Sequence, residues 1–222
     1  TGAKVNQTQG TLGTPFIWGA TNSWGGVRTE NFRYNQLEYA DDIEPERIDE
    51  IATETMGPYH MAGCFGCQVH CRAQYKIPSG KYKGKYDEGP EYTSQGAFGA
   101  EVGCRSAETV LAGNHLVDQF GMDNLETGSM IAWAMECFEE GLITKEQTDG
   151  IDLSFGNDEA VLEMIERICY RKGWLGDVLA KGGIPASKNV GKDSFDYLIQ
   201  VKGMANLHSD ERGTPALALN IA

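Results

Sequence analysis

Residues 106–140 read Ser106-Ala-Glu-Thr-Val-Leu-Ala-Gly-Asn-His-Leu-Val-Asp-Gln-Phe120-Gly-Met-Asp-Asn-Leu-Glu-Thr-Gly-Ser-Met-Ile-Ala-Trp-Ala-Met-Glu-Cys-Phe-Glu-Glu140, and this stretch decides the fold class. Ser106-Ala-Glu-Thr is a capping-box pattern, from which a helix is expected to run to Phe120 with Val110, Leu111, Val117 and Phe120 as its apolar set. Asp118 to Gly121 forms a junction. A second helix, about Asn124 to Glu140, carries Met130, Ile131, Trp133, Ala134, Cys137 and Phe138 at i, i+1, i+3, i+4, i+7 and i+8 and ends at Gly141. Two consecutive helices with broad apolar faces predict a core of packed helices.

Working outward, Asn157 or Asp158 opens a third helix to about Arg171, with Val161, Leu162, Ile165, Ile168 and Cys169 on one face. A shorter helix is predicted near Leu175 to Lys181, ended by Gly182-Gly183. Upstream, Pro45 suits the first position of a helix over Glu46 to Thr55, with Ile48 and Ile51 on one side. Strand-like alternation is confined to short runs such as Tyr197 to Val201. Residues 1–43 carry breakers at Gly10, Gly13, Pro15, Gly19, Gly25 and Gly26, which predict turns and extended chain. The expected fold is mainly α: one irregular helical domain over 1–222, with an irregular leading segment 1–43 and a helical body 44–222.

Nineteen Lys and Arg against 32 Asp and Glu leave a net charge of −13, which excludes a general nucleic-acid or anionic-membrane binder. No window approaches 18 uninterrupted apolar residues, and the first 20 residues lack a basic segment followed by an apolar one. A soluble, cytoplasmic protein with no membrane span is expected. At 222 residues the chain can bury a core without metals or disulfides, so its cysteine pattern carries separate information.

Of six cysteines, three fall in Cys64-Phe-Gly-Cys67-Gln-Val-His-Cys71. A disulfide framework spreads its cysteines more evenly, whereas C-x2-C-x3-C suits a metal in a reducing compartment. If the run were helical, the three thiols would share an arc of about 60°. An iron–sulfur cluster needs a fourth thiolate, from Cys104 or from outside the chain, while zinc could take His60 or His70 as its fourth ligand. Cys137 and Cys169 lie on apolar helical faces and read as core. Cys104 precedes the Ser106 cap, where a helix dipole would stabilise an exposed thiolate.

Tyr86-Asp-Glu-Gly-Pro-Glu91-Tyr92 is an acidic, aromatic turn. Asp118-Gln-Phe-Gly121-Met122-Asp123 reads either as a helix stop followed by an N-cap or as a backbone-donor site for a polar cofactor.

Together with Glu88-Gly-Pro-Glu91-Tyr92, Phe98-Gly-Ala-Glu101-Val-Gly103, Asp118-x2-Gly121-Met122-Asp123, Thr127-Gly128, Lys202-Gly and Arg212-Gly213, the cysteine run resembles the aldehyde ferredoxin oxidoreductase family of tungsten enzymes. The resemblance begins near Gly13-Thr14 and Arg28-Thr-Glu-Asn31-Phe32 and covers essentially the whole chain. It implies the middle helical domain of a three-domain chain about three times longer, so that these residues alone are inactive. It also implies a [4Fe–4S] cluster on Cys64, Cys67 and Cys71 whose fourth cysteine lies in a later domain. Asp118, Gly121, Met122 and Asp123 would touch one pterin of a tungsten bis-pterin, with magnesium bridging the two pterins. An electron-transfer protein or iron–sulfur subunit, a small-molecule substrate and an oligomeric full-length protein are the expected partners.

Two departures bear on the reaction. Aldehyde oxidisers of the family usually read Glu-Tyr-Glu where this chain has Glu91-Tyr92-Thr93, so the second carboxylate, a catalytic candidate, is absent while Glu91 stays a catalytic candidate, and they tend to have a non-thiol residue at Cys104. A thiolate there would be a fifth sulfur ligand to tungsten, which resembles the class II benzoyl-CoA reductase branch. The sequence reading is therefore low-potential reduction of an aromatic acyl-CoA, with aldehyde oxidation to carboxylate by ferredoxin and a zinc-stabilised, non-redox interaction module as alternatives.

Overall fold

The computed structural model describes residues 8–221. Its centre is the pair of helices expected from the sequence: α4 (Ala107–Phe120) and α5 (Asn124–Glu139). The Ser106 side chain caps α4 by accepting the Thr109 N–H at 3.1 Å. Its partner departs from the capping box, because Glu108 stands one residue early and instead accepts from the Ser106 hydroxyl at 3.2 Å. Gly121 ends α4 in the left-handed region at φ 64°, and Asp123 caps α5 by accepting the Glu126 N–H at 2.7 Å. Trp133, Ile131, Met135 and Cys137 on α5 and Leu111 and Val117 on α4 are fully buried in the main core.

The body of the chain wraps this pair. Upstream stands α2 (Pro45–Met56), with Ile48, Ile51 and Ala52 buried; downstream come α6 (Asp158–Tyr170), α7 (Gly173–Leu179) and α8 (Gly183–Val190). The α8 helix lies beyond the stop expected at Gly182-Gly183. Gly182 is its N-cap and Pro185 falls in its first turn, where a missing N–H costs nothing, so the glycine pair both ends one helix and begins the next.

The leading segment is more regular than its breakers suggest. Residues 8–12 are helical, a 3-10 turn covers Thr14–Ile17, α1 spans Trp18–Ser23, and a further 3-10 turn lies at Ala40–Ile43; residues 1–7 of the expected irregular segment lie outside the described residues. Trp18, Val27, Leu37, Ala40 and Ile43 bury a second, smaller core against Ala100 and Val110.

A three-stranded antiparallel sheet also departs from expectation, with β1 (Met61–Ala62), β2 (Arg72–Lys76) and β3 (Tyr86–Glu88) in that order. Ala73 and Tyr75 face the core while Arg72, Gln74 and Lys76 face outward, a period-2 pattern muted by the small alanine. Tyr197 to Val201 is only in part strand: Ser194–Tyr197 is a 3-10 turn, and β4 (Gln200–Val201) pairs with β5 (Met204–Ala205). Short α3 (Tyr92–Gln95) runs into a π-turn at Gly96–Ala100, and α9 (Pro215–Ile221) closes the described chain. Among the described residues no helix is long and apolar enough to cross a membrane.

Candidate functional site

The three clustered cysteines sit in the loop that joins β1 to β2, residues 63–71, within a hairpin whose register is Met61↔Ala73 and Ala62↔Arg72. This corrects the helical arrangement with its 60° arc. The loop cannot be helical because Gly66 and His70 hold positive φ, 73° and 55°. The loop aims backbone donors at sulfur instead: Val69 N–H lies 3.4 Å from Cys67 Sγ, and the N–H groups of Val69 and His70 lower the Cys67 thiol pKa. Partial burial, then the neighbouring Glu91, and then Cys67 and Cys64 push the Cys71 thiol the other way. The leading segment cradles this loop closely. A Cβ on Gly10 would stand 2.7 Å from the Val69 carbonyl oxygen, and one on Gly13, at φ 70°, 2.8 Å from that of Cys71.

Neither histidine offered as a fourth zinc ligand joins the cysteines. His60 Nδ1 lies 3.0 Å from Gly57 O and its Nε2 3.0 Å from Asp49 Oδ1, while the His70 ring packs where a Gly63 side chain would be. Among the described residues no three His, Cys, Asp or Glu side chains converge on a point that could hold one ion. A mononuclear thiolate site would bring its sulfurs to within about 4 Å of each other. In a multinuclear cluster each cysteine binds its own iron, so an open loop of thiols with N–H donors to sulfur fits that group better.

Beside the loop lies a cleft of about 400 Å³ lined by Arg72, Asp87, Glu88, Glu91, Ser94, Asn114, Asp118 and Asn124 among others. Strand β2 starts it at Arg72, directly after Cys71, and Arg72 Nη1 pairs with Glu88 Oε2 at 2.8 Å. Glu91 is fixed from behind by the Thr14 hydroxyl, which donates to Oε2 and accepts the Tyr92 N–H at 2.8 Å. Asp118 stands near the C-terminus of α4. Partial burial and then Asp87 push its carboxyl up, against the opposing pull of His115 and Asn114. Asp87 is in turn paired with His115 Nδ1 at 2.9 Å.

Glu91 and Asp118 are thus brought together beside the cysteine loop, and Cys104, Gly121, Met122 and Asp123 do not line the same cleft. Met122 and Asp123 line a separate pocket of about 310 Å³ with Phe120, Cys169 and Gly182, while Gly121 and Asp123 act as the helix stop and cap. Cys104 is fully buried in the main core. Its thiol pKa is well above the usual range, from burial and then Asp158, which replaces the expected exposed, dipole-stabilised thiolate. The Ser106 cap reserves the α4 N-terminal donors for itself, and Cys104 turns instead toward the start of α6.

The sequence reading gave Arg72, Ser94 and Asn114 no role, and it named Thr14, Asp87 and Asn124 only as parts of the family resemblance, the acidic turn and a helix start. Asn114 alone left a usable sign, since it precedes Asp118 by four residues and shares its helix face. The cleft wall is rich in acceptors: four carboxylates stand against one guanidinium, and buried Asn124 Oδ1 lacks a donor. Such a lining suits a heterocycle with several N–H groups and disfavours a phosphate.

The family model for aldehyde ferredoxin oxidoreductase, domains 2 and 3, matches residues 2–222. The tungsten-containing aldehyde ferredoxin oxidoreductase of Pyrococcus abyssi is 32% identical over 213 residues, 95% of this chain and 33% of that protein. From Pyrococcus furiosus, the WOR-like subunit of aliphatic sulfonate oxidoreductase is 31% identical over 145 residues, 64% of this chain and 23% of that protein. Among solved structures, the active-site complex BamBC of benzoyl coenzyme A reductase with 1,5-dienoyl-CoA has TM-score 0.67 at 17% identity, covering 83% of this chain and 27% of that one, a likeness of fold. The chain spans about a third of the length of the curated tungsten relatives it matches.

Proposed function

The chain belongs to the aldehyde ferredoxin oxidoreductase family, and from that premise we propose that it is the cluster- and pterin-facing helical domain of a low-potential tungsten oxidoreductase. The observation that carries this reading is the adjacency of the cysteine loop and the acceptor-rich cleft, whose lining begins at Arg72, the residue directly after Cys71. Cys64, Cys67 and Cys71 would hold three corners of a [4Fe–4S] cluster, and Asp118 with Asn124 would accept N–H groups of a pterin. When bound, the tungsten pterin would supply two-electron chemistry and the cluster a one-electron path to a carrier protein.

The substrate we infer is an aldehyde. Ring reduction rested on Thr93 in place of a second carboxylate and on Cys104 as a fifth sulfur, and the burial of the Cys104 thiol beside Asp158 weighs against the second of these. Glu91 would serve as the base: with Oε2 held by Thr14, Oε1 is left to take a proton from the water that becomes the second carboxylate oxygen of the product. Oxidation of an aldehyde and one water to a carboxylate releases three protons and two electrons. Anaerobically purified full-length protein should reduce a viologen or ferredoxin with simple aldehydes. Electron transfer to benzoyl-CoA, with no aldehyde turnover, would restore the ring-reduction reading and return Cys104 to the metal.

A further inference from the structure

We propose that Asn114 is the positioning residue that sets Asp118 and the Glu88–Glu91 turn in register around the cofactor cleft; this rests on the reading of Asp118 as a pterin contact. Asn114 is 3% exposed and lies one turn before Asp118 on α4. Its Oδ1 accepts the Ser94 hydroxyl at 2.7 Å, and Nδ2 faces Tyr75 Oη at 3.2 Å, Glu88 O at 3.2 Å and Asp118 Oδ2 at 3.3 Å. Ser94 in turn accepts from Asn124 Nδ2 at 2.9 Å, so one amide ties together β2, β3, α3, α4 and the first residue of α5.

The valence arithmetic explains why asparagine is required. Nδ2 has two hydrogens and three acceptors, so Asp118 shares a donor and sits at the longest distance. One carboxylate oxygen is steered without being consumed, and the other is left toward the cleft. Aspartate at 114 would keep the Ser94 bond and lose every donor, setting two carboxylates one helical turn apart. The backbone also leaves little room, because a Cβ on Gly89, at φ 120°, would come 3.3 Å from Nδ2.

The test uses full-length holoenzyme and follows the release of oxidisable pterin by fluorescence, beside iron content, the cluster's electron paramagnetic resonance and Tm. Asn114→Asp should shorten the half-time of pterin loss by about fivefold or more, the worth of one net hydrogen bond, while iron and the cluster signal stay as in wild type. Tyr75→Phe removes a different partner of the same amide and should lower Tm without hastening pterin loss. If Asn114→Asp accumulates poorly, Asn114→Ser, too short to reach Asp118, carries the same expectation. Asp118→Ala is run in parallel. Fast pterin loss in Asp118→Ala with wild-type retention in the Asn114 variants overturns this proposal alone, and retention in Asp118→Ala overturns the underlying reading of Asp118. Equal loss of pterin, iron and Tm in both Asn114→Asp and Tyr75→Phe assigns Asn114 a merely structural role and overturns the proposal.

Discussion

Asp118 and Asp123 sit five residues apart in one motif, yet the fold gives them different work. Asp123 is satisfied by the Glu126 N–H as a helix cap, whereas Asp118 faces Arg72, Glu88 and Glu91 across a cleft. Asp118→Ala should therefore lower bound tungsten in the full-length protein with unchanged helix content. Asp123→Ala should cost about 1 kcal/mol of stability and leave the metal in place, read by metal analysis and thermal unfolding. Cys104 is the complementary case. Since its thiol is buried beside Asp158, Cys104→Ser should alter Tm and leave tungsten content and its absorption edge unchanged; a lost sulfur scatterer would contradict that placement.

At the scale of elements, the clustered cysteines lie on the hairpin loop between β1 and β2 and not on the helix their spacing suggested. Cys64→Ser, Cys67→Ser or Cys71→Ser should each strip iron from the full-length protein, while Cys137→Ser, in the core of α5, should only loosen packing. Gly13→Val should mimic the cysteine variants. It forces a β-branched residue to φ 70° and drives its Cβ onto the Cys71 carbonyl, so iron per chain should fall without any ligand being touched. The long helices were legible because α4, α5 and α6 carry sustained apolar periodicity with Ser106, Asp123 and Asn157 as caps. The sheet was not, since β2 alternates through Ala73 and Gln74, and β1 has only two residues. Glu91 and Asp118 could be named from motifs, but their meeting depends on a hairpin and a π-turn that no local signal announces.

Across the whole molecule, a buried ion network joins the two ends of the described chain to its middle. Glu101, at the end of the π-turn, pairs with Arg28 at 2.5 Å and with His208 at 2.6 Å, every side chain 0% exposed, and accepts from the Ser129 hydroxyl at 3.1 Å. Burial alone would raise the Glu101 pKa; Arg28, His208 and Ser129 together outweigh it and hold the carboxyl below its ordinary value near 4.5. A depressed folded pKa contributes stability that is complete above the unfolded value and is lost as pH falls through the folded one. Wild-type Tm should therefore hold above about pH 5 and fall below it, whereas Glu101→Gln should start about 3–5 kcal/mol less stable and show a shallower acid limb. Arg28 and Glu101, from separate stretches that the sequence reading picks out, meet in this network, while the exposed Arg212 folds onto Asp210 at 2.5 Å, two residues after His208.

The central claim, that the cysteine loop and the acceptor-rich cleft form one redox site, is tested most directly by metal and pterin analysis of the anaerobically purified full-length protein, with electron paramagnetic resonance of its reduced form. The account predicts four iron atoms, one tungsten and two pterins per chain, with a reduced [4Fe–4S] signal that Cys67→Ser abolishes. Stoichiometric zinc with neither iron nor pterin, and no signal on reduction, would contradict it.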